Sequence, residues 1–176
     1  KYDILVRDAR VGGPAAPASS QNPMNVVFSV GNIRNVDPNR DDLHSEVRSP
    51  ATAKNAISVG ASGLATWDIL AGPCQTAISI RDVPSLSRRN VANGSGRIKP
   101  DLVAPGRSTV STRSYSGAVA DCALYNGGVT YEGGGSYLAQ HGTSFAAPQV
   151  TGAAVLVKRF VEVEKGGSPP SPALIK

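Results

Sequence analysis

Apolar residues in this chain are concentrated in a few short runs, separated by polar intervals rich in Gly and Pro. Residues 25–30 read NVVFSV, β-branched and apolar without polar alternation, the pattern of a strand buried on both faces. The run stops at Gly31-Asn32, and residues 33–50 are polar and charged, which predicts a long loop. A second buried strand is predicted over 55–60 (NAISVG). Shorter strand candidates lie at 66–69 and 76–80, between Gly, Pro and Asn residues. Residues 98–106 (IKPDLVAPG) carry Pro at both ends of their apolar stretch, which predicts extended backbone. Residues 113–140 form a Gly/Tyr/Ser-rich excursion. From residue 143 to about 160, small and apolar residues (Phe145, Ala146, Val150, Ala153, Ala154, Leu156, Val157) predict a buried helix. Residues 165–170 break it, and 171–175 (SPALI) predict one turn of a new helix. Near the start, Tyr2, Ile4, Leu5 and Val6 read as the tail of a helix, followed by a loop over 12–23. Apolar strands mixed with a buried helix predict an α/β layer architecture.

Composition adjusts this picture only slightly. The 176 residues suffice for one domain with its own core, and 40% hydrophobic with 18% charged residues is ordinary for a globular protein. Gly (19) and Pro (13) are abundant while aromatics make up only 5%, as expected for sharp turns between closely packed elements. The formal charge is +5, but the basic residues are scattered. Only Arg88-Arg89 pair in mid-chain, with no interleaved aromatics, which argues against a nucleic-acid partner. No stretch reaches the length of a membrane span, and the first residues do not form a signal peptide. Cys74 and Cys122 permit one disulfide without demanding it.

The strongest chemical signal is His141-Gly-Thr-Ser144-Phe-Ala-Ala-Pro148. A serine at the start of a buried helix presents its hydroxyl at the element's edge, where the helix dipole favours developing negative charge. Its own N–H is one of the donors the helix cannot satisfy internally. A bare Gly-Thr-Ser is better read as a helix cap. The longer segment 141–156, HGTSFAAPQVTGAAVL, resembles the nucleophile motif of the subtilisin-like serine peptidases, the subtilases. Three upstream segments resemble that family in its order: VVFSVGN at 26–32, SPATAKNAISVGAS at 49–62 and GRIKPDLVAPG at 96–106.

That resemblance implies a serine endopeptidase acting on polypeptides. Its fold would be a three-layer α/β sandwich around a mostly parallel sheet, present here incompletely as the later strands and the central nucleophile helix. Residues 1–176 would be the C-terminal portion of one such domain, truncated at both ends. Ser144 matches the nucleophile and Asn32 the side-chain donor to the oxyanion. Ser29, Val30 and Gly31 would line the substrate pocket, with Thr143 supporting the turn beside it. The location implied is secreted or cell-envelope, with no membrane contact. No cofactor is needed for the chemistry. Asp37, Asp41 and Asp42 could supply oxygen ligands to a structural calcium, but solvated loop carboxylates are the preferred reading.

The departures matter as much. The family's Asp and His motifs precede the oxyanion asparagine and have no counterpart here. Of the two histidines, His44 lies in a charged loop, and His141 is only three positions from Ser144, unlike a base recruited from elsewhere in the fold. The expected partner is therefore the missing N-terminal half of the domain, supplying Asp and His, and this chain alone is expected to be inactive. A second expectation is self-association through the sheet face left uncovered. The rival reading is a pseudopeptidase, a binding or structural module without catalysis. The family's SSRGP-like segment reads Ser87-Arg88-Arg89-Asn90-Val91, an altered turn. The interval from Asn32 to Ser144 also exceeds that of compact members, with the excess assigned to loops 33–48 and 113–140.

Overall fold

The computed structural model describes residues 24–33, 46–63, 81–84, 86–90, 96–107, 109–112, 129–130, 137–167 and 169–176. Three strands, β1 (Val27–Ser29), β2 (Ile57–Ser62) and β3 (Leu102–Pro105), form a parallel sheet in the order β1-β2-β3. Val27 lies opposite Ile57, and Val59 opposite Leu102. All six residues of β2 are buried, as a central strand covered on both faces requires. The predicted strands at 25–30 and 55–60 are thus present, the first shortened to three residues and the second shifted by two.

Helix α1 (Thr143–Glu164) packs against all three strands. On its side of the sheet, Ile57, Val59 and Ala104 meet Ala146 and Val150, with Val27 and Ala147 packed alongside. Alternation along β2 turns Ser58 and Gly60 to the other face. There a Cβ on Gly60 would lie 3.0 Å from Ser87 Oγ and 3.0 Å from Pro100 Cγ. Ser87 itself is fully buried and its hydroxyl accepts the Ala61 N–H at 3.0 Å. A second apolar cluster, Val30, Val47 and Ala51 with Phe28 against it, lies beside β1. The parallel sheet and its helix establish the α/β class. Of the three expected layers, the sheet and one helical layer are among the described residues.

The excursion before α1 is partly a second, antiparallel sheet. Strands β4 (Thr109–Thr112), β5 (Val129–Thr130) and β6 (Tyr137–Gln140) pair in the order β4-β6-β5. A short helix, α2 (Pro172–Ile175), closes the chain and touches α1. The expectations at 1–10, 12–23, 66–69 and 76–80 lie outside the described residues, as do Asp37, Asp41, Asp42, His44, Cys74 and Cys122. No helix among the described residues is long and apolar enough to cross a membrane.

A charged cluster ties the near ends of β2 and β3 together. The Asp101 carboxylate accepts from Lys99 Nζ (2.6 Å), from the Ser58 N–H (2.8 Å) and from the Ser58 hydroxyl (2.8 Å) on one oxygen. Lys176 Nζ approaches the other oxygen at 3.2 Å. Burial pushes the Asp101 carboxyl upward, but these donors together outweigh it and hold the group below its ordinary value. Burial also lowers the Lys99 ammonium, which Asp101 only partly restores.

The two ends of α1 differ. Its 22 residues extend about 33 Å, whereas the six of β2 reach about 20 Å, so the helix outruns the sheet. Only Thr143, Ala146 and Val150, all in the first half, are buried. In the second half Leu156 is 73% exposed and Phe160 66%, with Val155 and Val163 also largely uncovered. Together these residues leave an apolar surface exposed on the second half of the helix.

Candidate active site

The carboxyl ends of β1 and β3 converge on the start of α1. Beyond β3, Gly106 accepts the Gly142 N–H at 2.7 Å and donates to the Ser62 carbonyl at 3.1 Å. A side chain at position 106 would collide with its surroundings: a Cβ there would lie 2.7 Å from Ala61 Cβ and 2.8 Å from the Gly142 carbonyl oxygen. Glycine is therefore what lets the turn into α1 seat directly on the end of β2.

Beyond β1, Asn32 reaches the same place. Its Oδ1 accepts the Thr143 N–H at 2.9 Å and the Thr143 hydroxyl at 3.0 Å. Gly142, the residue before the helix, has no side chain to cap it, so a residue 111 positions away satisfies the first helical N–H. With Oδ1 held by two donors, the other end of the carboxamide is the Nδ2 amide. It lies against Gly142, at 3.1 Å from where a Cβ on that residue would be. Thr143 is fully buried. Ser144 follows it and is exposed. Asn32 Nδ2 and the Ser144 N–H thus belong to the same corner of the fold, with the serine hydroxyl at its surface.

Pro148 acts on this first turn as well. It has no N–H to donate to the Ser144 carbonyl four residues back. The next residue, Gln149, donates from its Nε2 to the Phe145 carbonyl at 3.0 Å and to the Pro105 carbonyl at 2.6 Å, which pins α1 to the end of β3. Among the described residues, the Ser144 hydroxyl makes no hydrogen bond. His141, half-buried, lies between β6 and α1. An exposed serine hydroxyl at a helix start, in the corner that also holds the Asn32 carboxamide, can act as a nucleophile, provided a base reaches it.

Ser144, Asn32 and Thr143 are thus gathered at one point by the structure. Ser29 and Gly31 are half-buried and adjoin Asn32 along the chain. Val30 is different: its side chain is buried in the cluster with Val47 and Ala51, and its N–H donates to the Val59 carbonyl. It offers no side-chain surface to a ligand. A residue that sequence reasoning passed over is Arg88. Its Nε donates to the Asn32 carbonyl at 3.3 Å and its Nη1 to the Glu46 carbonyl at 3.1 Å. Burial and the neighbouring charge of Arg48 both lower its pKa. The altered Ser87-Arg88-Arg89 segment was the available signal, but nothing local tells which arginine turns inward. Among the described residues no group of three His, Cys, Asp or Glu side chains is placed to hold a metal ion.

Comparison with known proteins agrees with the motifs. The sequence profile of the Subtilase family of peptidases (Peptidase_S8) matches residues 9–165. A Dictyostelium discoideum protein, the serine protease/ABC transporter B family protein tagA, is 36% identical over 80 residues, covering 44% of this chain and 4% of that protein. Among solved structures, the Clostridium perfringens CspB protease is similar at 26% identity with a TM-score of 0.42, covering 69% of this chain and 19% of its own. The chain thus spans a small part of the length of these two proteins.

Proposed function

The chain belongs to the subtilase family of peptidases, and from that premise we propose that it carries the nucleophile half of a serine endopeptidase site. Ser144 is the nucleophile. Asn32 Nδ2 and the Ser144 N–H are the oxyanion donors, and Thr143 holds the asparagine in register. The observation that supports this reading best is the pair of hydrogen bonds from Thr143 to Asn32 Oδ1, which leaves the amide as the carboxamide's free donor end beside the exposed serine.

The proposed chemistry follows from these positions. The Ser144 Oγ attacks the scissile carbonyl as its proton passes to a general base. Charge develops on the carbonyl oxygen, where the two N–H donors are preorganised to receive it and the start of α1 adds its dipole. Collapse of the adduct expels the amine and leaves an acyl-enzyme on Ser144, which water then hydrolyses. The base and its orienting carboxylate belong to the part of the domain that precedes the oxyanion asparagine in this family. That part is also the proposed occupant of the apolar second half of α1, because Leu156 and Phe160 are too exposed for a finished fold. Ser29 and Gly31 would contact the substrate through main chain and small side chains, and Val30 through main chain alone. Secretion or attachment to the cell envelope is the setting proposed for the enzyme.

The test is peptide hydrolysis by the full-length polypeptide that contains this chain. Asn32→Ala should lower kcat by about 10²–10³ with KM little changed, the scale established for such a donor in subtilisin itself. An Asn32→Ala variant with unchanged kcat would remove the oxyanion assignment.

A further inference from the structure

Arg88 and Arg89 are neighbours in sequence but not in setting: Arg89 is exposed, whereas Arg88 is half-buried. Arg88 makes two hydrogen bonds to the turn on which Asn32 stands. Its backbone N–H donates to the Gly31 carbonyl at 3.2 Å, and its Nε to the Asn32 carbonyl at 3.3 Å. Its Nη1 donates to the Glu46 carbonyl at 3.1 Å. The arginine stem also lies over Gly31, where a Cβ would be 3.1 Å from Arg88 Cδ. Gly31 has φ +90°, a left-handed conformation that glycine adopts without strain, and this is where β1 turns toward α1. The carbonyls of both turn residues, Gly31 and Asn32, are therefore held by one side chain and its own backbone.

We propose that Arg88 is a positioning residue for peptide hydrolysis, fixing the main chain from which the Asn32 carboxamide projects toward the oxyanion. The proposal rests on the oxyanion role given to Asn32 above. Thr143 secures the carboxamide at its tip, and Arg88 secures it at its root. Each tie alone leaves a rotation open: a side chain held only at Oδ1 tolerates movement of its backbone, and a fixed backbone tolerates rotation of the side chain. The two together set the direction of Nδ2.

The choice of arginine has a physical reason. A planar guanidinium offers N–H donors in a fixed fork, and here the fork spans carbonyls at positions 32 and 46, which come from different segments. Donors on a charged group also make stronger bonds than neutral ones. A lysine carries the charge but not the fork. Displacement of a preorganised group by about 1 Å costs up to about 10²-fold in rate.

The experiment is a double-mutant cycle on the full-length polypeptide with Arg88→Ala, Asn32→Ala and both together, read as kcat and KM. Arg88→Ala is expected to lower kcat by about 10- to 100-fold with KM within about twofold. In the Asn32→Ala background the same change is expected to add little, because the group that Arg88 positions is already gone. Arg88→Lys keeps the stem and charge, covering the case in which Arg88→Ala fails to fold, and should show the same dependence on Asn32 with a smaller loss. Two results would overturn the proposal while leaving the peptidase reading intact. One is an Arg88→Ala kcat within about twofold of the unmodified enzyme. The other is a pair of losses that multiply in full, which means Arg88 acts independently of Asn32. If Asn32→Ala by itself leaves kcat unchanged, the oxyanion reading fails first and takes this one with it.

Discussion

Replacing Asp101 with Asn should expose how much of the sheet depends on one buried charge. The Lys99 side chain is 3% exposed and that of Asp101 19%. Asn keeps the shape of Asp and one acceptor oxygen for Ser58, but it leaves the Lys99 ammonium buried without its counter-charge. Breaking a buried pair in this way costs about 3–5 kcal/mol. The partial exposure of Asp101 places this case near the lower end, at about 3 kcal/mol. For a protein of this size each kcal/mol is worth about 2–4 °C, which predicts a fall in melting midpoint of about 6–12 °C. The effect is pH-dependent in a fixed sense. The folded carboxyl lies below its ordinary 3.8, so its contribution is complete above that value and fades as pH falls through it toward the folded pKa. Thermal and urea unfolding followed by circular dichroism, at pH 7 and again near pH 3, would measure both features. Adding Lys99→Met to Asp101→Asn should recover part of the loss by replacing the stranded ammonium with an apolar chain. A single variant within about 0.5 kcal/mol of the unmodified protein at pH 7 would refute this account of the cluster. So would a gap between the two that stays the same at low pH.

Two further outcomes follow from packing. Gly106→Ala should destabilise by about 1–3 kcal/mol, because its Cβ would press on Ala61 and the Gly142 carbonyl, whereas Gly152→Ala, which meets nothing within 4 Å, should stabilise α1 by up to about 1 kcal/mol; denaturant midpoints of the two variants should move in opposite directions. This chain expressed without the rest of the domain should self-associate through the second half of α1, and Leu156→Glu with Phe160→Glu should shift its sedimentation toward monomer; a strictly monomeric unmodified chain would contradict that expectation.

The sequence was most legible where apolar residues run without interruption by charge. The runs at 25–30 and 55–60 contain no alternation, and both became strands of the parallel sheet, with α1 covering one face and Ser87 and Pro100 covering part of the other. The helix was legible from Thr143 onward, although it runs to Glu164 rather than to about 160, since Glu162 and Glu164 blur the end of an apolar pattern without breaking the helix. The antiparallel sheet was not legible: its strands have two to four residues and lie among glycines. The tie between Asn32 and Thr143 spans 111 positions, and no local pattern reports such a distance; only the likeness of both segments to one family suggested that they meet. Lys99 and Asp101, by contrast, were within reach of reasoning. Two positions apart in a stretch predicted to be extended, they share a face, and opposite charges on one face call for a partnership.

The central claim is that Ser144 is the nucleophile of a peptidase site completed outside these residues. Its most direct test is a fluorophosphonate probe applied to the full-length polypeptide, with the adduct located by mass spectrometry. The account predicts a single adduct on Ser144, absent from the Ser144→Ala variant and weaker in Asn32→Ala. Labelling that survives Ser144→Ala, or a full-length protein that takes no label at all, would contradict it.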